Sequence, residues 1–217
     1  MTGNSIQVAL IGDRNGKYLP HTSAESIIPK IAADLALTAT VSWIPTGAVK
    51  ETDLSQYQII WSGSGPYLNP EGAIEAIRFA REHHVPFIGT CSGFKYTIIE
   101  LAKNVCKSEN PEAYISFNES CGTEYKELTI SLHSSKTKTY YESAQVRETS
   151  HCRFEINAIH QEEVNRYFTF AGTANDGRMV IAELTEHPFF LATLFLPQLK
   201  TGSQLLSQLM LHAAKLV

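Results

Sequence analysis

This 217-residue chain has no paired cysteines. Its four, Cys91, Cys106, Cys121 and Cys152, show no CxxC or other close spacing. That excludes a zinc-ribbon pattern and argues against a disulfide framework, so the cysteines read as free thiols. Charge of one sign is not in excess either. Lys and Arg total 18 against 22 Asp and Glu, for a net charge of -4, and no basic stripe or charge block breaks the balance. Nucleic acid and anionic membrane are therefore not expected partners. Long apolar runs are missing, and the opening "MTGNSIQVALIG" enters a strand without a basic stretch. It reads as neither a signal peptide nor a membrane span, and the expectation is a cytoplasmic protein. No repeat is found, and no metal or cofactor is expected.

What is present is a composition 43% hydrophobic, enough for one sizeable core, so residues 1–217 are read as a single domain. Ile6 to Ile11 predicts a strand. Ser23 to Leu37 predicts a helix, with Pro29 near its start or at a kink. Thr38 to Pro45 and Tyr57 to Trp61 predict strands, the second running into Gly63-Ser64-Gly65-Pro66. Asn69 as N-cap and Pro70 at the first helical position open a helix to about His84. A strand at Val85 to Ile88 and a helix at Thr97 to Cys106 follow. Alternation of this kind implies parallel pairing with right-handed crossovers. Strands at Lys126 to Leu132, Arg153 to Ile156, Tyr167 to Gly172, Met179 to Leu184 and Phe190 to Phe195 suggest a more antiparallel second half. A helix from about Ser203 to Leu216 closes the chain. Lys107 to Ser120 and "HSSKTKTYYES" read as exposed loops.

One stretch carries chemistry. In "PFIGTCSGFKY", residues 86–96, an apolar strand ends at Gly89, Cys91 follows, and Gly93 precedes a helical run. Glycines two before and two after a nucleophile permit a sharp strand-to-helix turn that exposes its side chain at a helix N-terminus. Cys91 is the candidate nucleophile, and it needs a partner to take its proton. Cys106, Cys121 and Cys152 show no partner pattern and read as packing residues.

Four stretches together resemble the glutaminase domain of CTP synthases, a class I glutamine amidotransferase module. They are "IIWSGSGPYLNPEGAIEAIRFAREHHVPFIGTCSGFKY", "ELAKNV", "HCRFEINAIHQEEV" and "FAGTANDGRMVIAELTEHPFF". The likeness spans most of the chain, is weakest between Lys107 and Thr149, and does not include a synthetase half. It implies a three-layer, Rossmann-like α/β fold with a mostly parallel central sheet flanked by helices. It also implies an oxyanion hole from the Gly63 and Ser92 amides, a substrate site including Gly65 and the position of Lys95, and Arg153 gripping a substrate carboxylate. A structural salt bridge is the alternative for Arg153. Lys95 replaces the family's glutamine, and its ammonium could favour the thiolate, meet an acid on a substrate or lie in solvent.

The same likeness shows what is gone. The family's strand after "HPFF" ends in histidine-proline-glutamate, whose histidine is the base and whose glutamate orients it. With register fixed by His187-Pro188 and Pro197, those positions hold Leu196 and Gln198. Leucine cannot accept a proton, so the base must be recruited elsewhere, His151 and His160 being the nearest candidates in sequence. Two readings follow: a cysteine amidohydrolase acting on a small amide or amino-acid-like substrate with a non-standard base, or a catalytically dead domain that binds a small ligand or a partner protein. A homodimer is open under either.

Overall fold

The computed structural model describes residues 5–119 and 124–217; Cys121 and the end of the Lys107–Ser120 segment lie outside them. Eleven strands occur among the described residues: β1 (Ile6–Ile11), β2 (Ala39–Ile44), β3 (Ile59–Ser62), β4 (Phe87–Thr90), β5 (Ile115–Phe117), β6 (Lys126–Leu132), β7 (Gln145–Ser150), β8 (Phe154–Ile156), β9 (Thr169–Ala174), β10 (Met179–Glu183) and β11 (Phe190–Thr193). The helices are α1 (Leu19–Asp34), α2 (Pro70–Glu82), α3 (Ser92–Asn104), α4 (Ser135–Tyr141), α5 (Gln161–Val164) and α6 (Gln204–Ala213).

Nine strands form one sheet in the order β2-β1-β3-β4-β11-β10-β9-β6-β7. Pairings from β2 through β11 are parallel, and those beyond β11 are antiparallel. The parallel strands β1, β3, β4 and β11 are buried almost throughout, as strands covered on both faces must be. From β1 the chain steps outward to β2, whereas from β3 it steps the other way to β4. Right-handed crossovers then put α1 and α2 on opposite faces. The direction reverses between β1 and β3, and ligands in such sheets bind outside the carboxyl ends of the strands near that reversal. Cys91 follows β4 at that edge.

The carboxyl-end loops are tied by one carboxylate. Asp13 accepts from Thr46 N–H (3.2 Å), Thr46 Oγ1 (2.6 Å) and Leu68 N–H (2.7 Å). Asn69 precedes α2, but its side chain makes no cap bond; instead its N–H donates to Thr46 Oγ1 at 2.9 Å. On the same side of the sheet as α2, α3 is locked to it by a buried ion pair. Glu100, fully buried, receives Arg81 Nη2 at 2.8 Å and Nε at 3.1 Å.

Four local expectations change. The helix expected at Ser23 begins at Leu19 and continues through Pro29. The helix expected from Thr97 begins at Ser92. "HSSKTKTYYES" is not an exposed loop, since α4 lies inside it. There Tyr140 stacks on Phe189, Tyr141 donates to Glu148 (3.1 Å), and Thr137 donates to the buried Glu183 (2.6 Å). The segment after Lys107 contains β5, which pairs with β8 outside the main sheet. Strand β7, which follows α4 at the sheet edge, was not foreseen.

Two measurements test this packing. Arg81→Met leaves the Glu100 carboxylate buried without its cation, and urea unfolding should show a loss of about 3–5 kcal/mol. Adding Glu100→Leu should recover most of it. His187 is buried and neutral: its Nδ1 accepts from Phe189 N–H (3.2 Å), so its Nε2 donates to Ala80 O (3.1 Å). Burial holds its pKa down to about 4. Because the folded value lies below the unfolded one, near 6.5, stability is full above that value and falls as pH drops from there towards 4. The loss should reach roughly 3 kcal/mol at most, and His187→Gln should flatten that part of the profile.

Candidate functional site

Cys91 has φ 55° and ψ -105°, a conformation few non-glycine residues adopt. Its N–H donates to Thr193 O of β11 at 2.9 Å, and Gly93 N–H donates to Gly63 O at 3.2 Å, so the turn is held from both sides. The flanking glycines make the approach possible. A Cβ on Gly93 would sit 2.0 Å from Ser62 O, and one on Gly89 would sit 2.9 Å from Gly93 O. The elbow lifts the thiol from the sheet, but the residue is only 7% exposed, so the expected exposure is not found.

The group beside the thiol is another thiol. Cys152 follows β7, which the stretch after β11 brings beside the elbow, and the two thiols act on each other. Cys152, with Ser92 N–H and Ser92 Oγ, holds the Cys91 thiol below the ordinary cysteine range, against burial that acts to raise it, while Ser64 Oγ is buried without a hydrogen-bond partner. The Cys152 thiol is pushed far up by Cys91 and by its own burial. Between the two sulfurs the first proton leaves Cys91, and the second stays on Cys152. Cys152 was expected to be a packing residue; it is the group that acts most strongly on the Cys91 thiol. Its one sequence signal was its place beside Arg153 in the "HCRFE" segment.

The segment carrying Cys152 is braced. Leu196 N–H donates to Thr149 O (2.8 Å), Ser150 Oγ to Leu194 O (2.9 Å), and Arg178 Nη1 to Cys152 O (3.1 Å). A cavity of about 290 Å³ reaches Cys152 past Ser150, His151, Asp176 and Arg178. Among the described residues, no three His, Cys, Asp or Glu side chains cluster so as to hold a metal ion.

The other candidates divide. Gly63 does not offer an oxyanion donor in this conformation, because its N–H continues the sheet by donating to Ile11 O at 3.1 Å. Gly65 lies against Ser92, where a Cβ would meet Ser92 Oγ at 2.6 Å. Lys95 sits 3.5 Å from Glu112 and over the rings of Tyr96 and Phe154, so its ammonium is engaged there. Arg153 stacks on Phe117 (4.3 Å), has a buried Nε with no hydrogen-bond partner, and makes no salt bridge among the described residues. His151 stacks on Tyr125, a residue whose phenol senses Cys91. His160 stacks on Tyr114 beside Glu163, in a cluster that acts on Cys106 past the far end of α3, so it is not placed to serve Cys91. Leu196 is fully buried, and Gln198 turns its Nε2 to Pro20 O (3.4 Å), leaving its buried Oε1 unbonded.

One residue went unnoticed in the sequence. His21 is buried, with Nδ1 accepting from Asn15 N–H (2.9 Å), so Nε2 donates to Ser64 O (2.8 Å). Both nitrogens are used, and the bond to Ser64 O fixes the loop carrying Ser64. No local spacing marked this role.

Comparison with known proteins matches the class I glutamine amidotransferase family model over residues 21–195. The CTP synthase of Methanopyrus kandleri is 26% identical over 91% of this chain and 42% of its own length. That of Desulfitobacterium hafniense is 35% identical over 60% of this chain and 29% of its own. The chain thus spans well under half of the curated relatives it matches. Among solved structures, the glutaminase domain of Trypanosoma brucei CTPS with bound acivicin superposes with TM-score 0.81 at 16% identity, covering 97% of this chain and 94% of that one. A glutamine amidotransferase from Thermotoga maritima gives TM-score 0.62 at 14% identity, over 90% of this chain and 77% of that one.

The thiol pair has a measurable signature. Since the Cys91 pKa lies below the ordinary value, its alkylation by iodoacetamide should persist to lower pH than for a free cysteine. Cys152→Ala removes the S–H donor and should move that profile upward. A bulky maleimide should instead label Cys106 before Cys91 or Cys152, because Cys106 is only partly buried and the other two are buried. Peptide mapping of the adducts decides both points.

Proposed function

Because the chain belongs to the class I glutamine amidotransferase family, we propose that it is a glutaminase-like cysteine amidohydrolase acting on a small amide or amino-acid-like substrate, with Cys152 in place of the missing base. The observation that carries this reading is the strained Cys91 elbow with its thiol held down beside Cys152. In this mechanism the Cys91 thiolate attacks the amide carbon. The Ser92 N–H meets the charge that develops on oxygen. Cys152 gives its proton to the leaving amine, and its thiolate later takes a proton from the attacking water. Arg153, free of carboxylates among the described residues, binds an acid group on the substrate through its planar fork.

A thiol with a raised pKa is a weak acid, so the reaction should be slow. Loss of one member of a hydrolase triad costs roughly 10⁴–10⁶ in turnover. A binding domain without turnover is the second reading, favoured by the engaged Gly63 N–H and by Leu196 and Gln198.

Acivicin, bound by the Trypanosoma brucei neighbour, is the first probe. Intact-mass and peptide analysis should show an adduct on Cys91 and none in Cys91→Ser. Ammonia release from glutamine should stay far below roughly 10 s⁻¹ and vanish in Cys91→Ser. Binding of acivicin without a Cys91 adduct, detected as a thermal shift, would instead favour the second reading.

A further inference from the structure

We propose that Cys91 and Cys152 are a peroxide-responsive pair, in which a hydroperoxide oxidises Cys91 and Cys152 resolves the product as an intramolecular disulfide. This goes beyond the amidohydrolase reading, since it needs neither substrate nor turnover.

Several observations meet at this pair. The two thiols act on each other, and both residues are buried, Cys91 at 7% and Cys152 at 4% exposure. Their backbones are held by the same short stretch of chain: Cys91 N–H on Thr193 O, Ser150 Oγ on Leu194 O, and Leu196 N–H on Thr149 O. The brace sets the two backbones relative to each other. Cys152 itself lies between β7 and β8 in irregular chain, which leaves it room to adjust to a bond of about 2.05 Å. The cavity of about 290 Å³ is lined by Cys152 and not by Cys91, so in this proposal a small peroxide and later a reducing thiol approach the pair past Cys152.

The chemistry balances. The Cys91 thiolate attacks the distal peroxide oxygen; the S–O bond forms, the O–O bond breaks, and the alkoxide or hydroxide leaves with a proton from water. Sulfur has then lost two electrons and stands as a sulfenic acid. The Cys152 sulfur attacks Cys91 sulfur, the S–O bond breaks, and hydroxide departs as water with the Cys152 proton. The result is a disulfide, an alcohol or water from the peroxide, and one further water. A dithiol reductant reverses it by exchange. Because Cys152 is already in place, condensation outruns a second oxidation to the sulfinic acid.

The test treats the full chain with limiting hydrogen peroxide and maps its peptides without reduction. A Cys91–Cys152 cross-linked peptide that disappears with dithiothreitol is expected, together with loss of Cys91 alkylation that the same reductant restores. In Cys152→Ala and Cys152→Ser, Cys91 should instead be trapped by dimedone and pass on to sulfinic acid, which dithiothreitol does not reverse. Cys106→Ser should leave the cross-link unchanged. The wild-type map alone is decisive if the variants fold poorly. A Cys91 that goes to sulfinic acid in the wild type, a cross-link through Cys106 or Cys121, or no oxidation of Cys91 while Cys106 reacts would each overturn the proposal. None of these depends on amide hydrolysis, so failure of the functional reading leaves this test intact.

Discussion

The backbone of Cys91 is the constraint on which the site depends. A non-glycine residue at φ 55° and ψ -105° carries strain of order 1–3 kcal/mol, and it persists only where its surroundings hold it. Here β11 takes its N–H, β3 takes the next amide but one through Gly63 O, and two glycines let backbone approach backbone at distances no Cβ tolerates. The order β3-β4-β11 therefore does more than build a core. It puts an acceptor strand on each side of the turn, so the position of the sulfur is set by the sheet.

That same sheet shapes the wall beside the elbow. After β11 the chain passes through Leu194, Phe195 and Leu196, all fully buried, and Leu196 N–H pairs with Thr149 O. The wall beside the elbow is thus apolar at the place where the resemblance puts an imidazole. What β7 brings to the sulfur through this pairing is Cys152. A thiol is a poorer proton carrier than an imidazole at neutral pH, but as a neighbour it has one property imidazole lacks: it can form a covalent bond to the nucleophile.

How much of this was legible follows from distance along the chain. The elbow was readable because glycine, cysteine and glycine act on one another within five residues, and the alternation of strands and helices was readable from local periodicity. The Leu196 and Gln198 departures rest on a register fixed by prolines and on the resemblance alone. Cys152 and His21 were not, since each gains its role from a contact with a distant loop that no local pattern encodes. Residues 135–141 were misread because their Ser, Lys and Thr content resembles a solvated loop. Tyr140 and Tyr141 are buried there only through partners on other elements, Phe189 and Glu148. His160 illustrates the converse: proximity to Arg153 in sequence suggested the site, while stacking on Tyr114 removed it.

The loop that should supply an oxyanion donor is tied as firmly as the elbow. Gly63 N–H is bonded to Ile11 O, Gly63 O accepts from Gly93 N–H and from the Tyr67 hydroxyl, and Ser64 O accepts from His21. Turning the Gly63 amide towards a bound carbonyl would break the Ile11 bond and disturb the bonds to Gly63 O. Each is worth roughly 1 kcal/mol net, and a buried group left unbonded costs roughly 1–3 kcal/mol. A rearrangement costing about 3 kcal/mol slows a reaction by about two orders of magnitude, at 1.36 kcal/mol per tenfold. Slow amide chemistry thus has two separate causes in this fold, a weak acid beside the nucleophile and an amide already engaged in the sheet. Restoring a base alone would remove only the first.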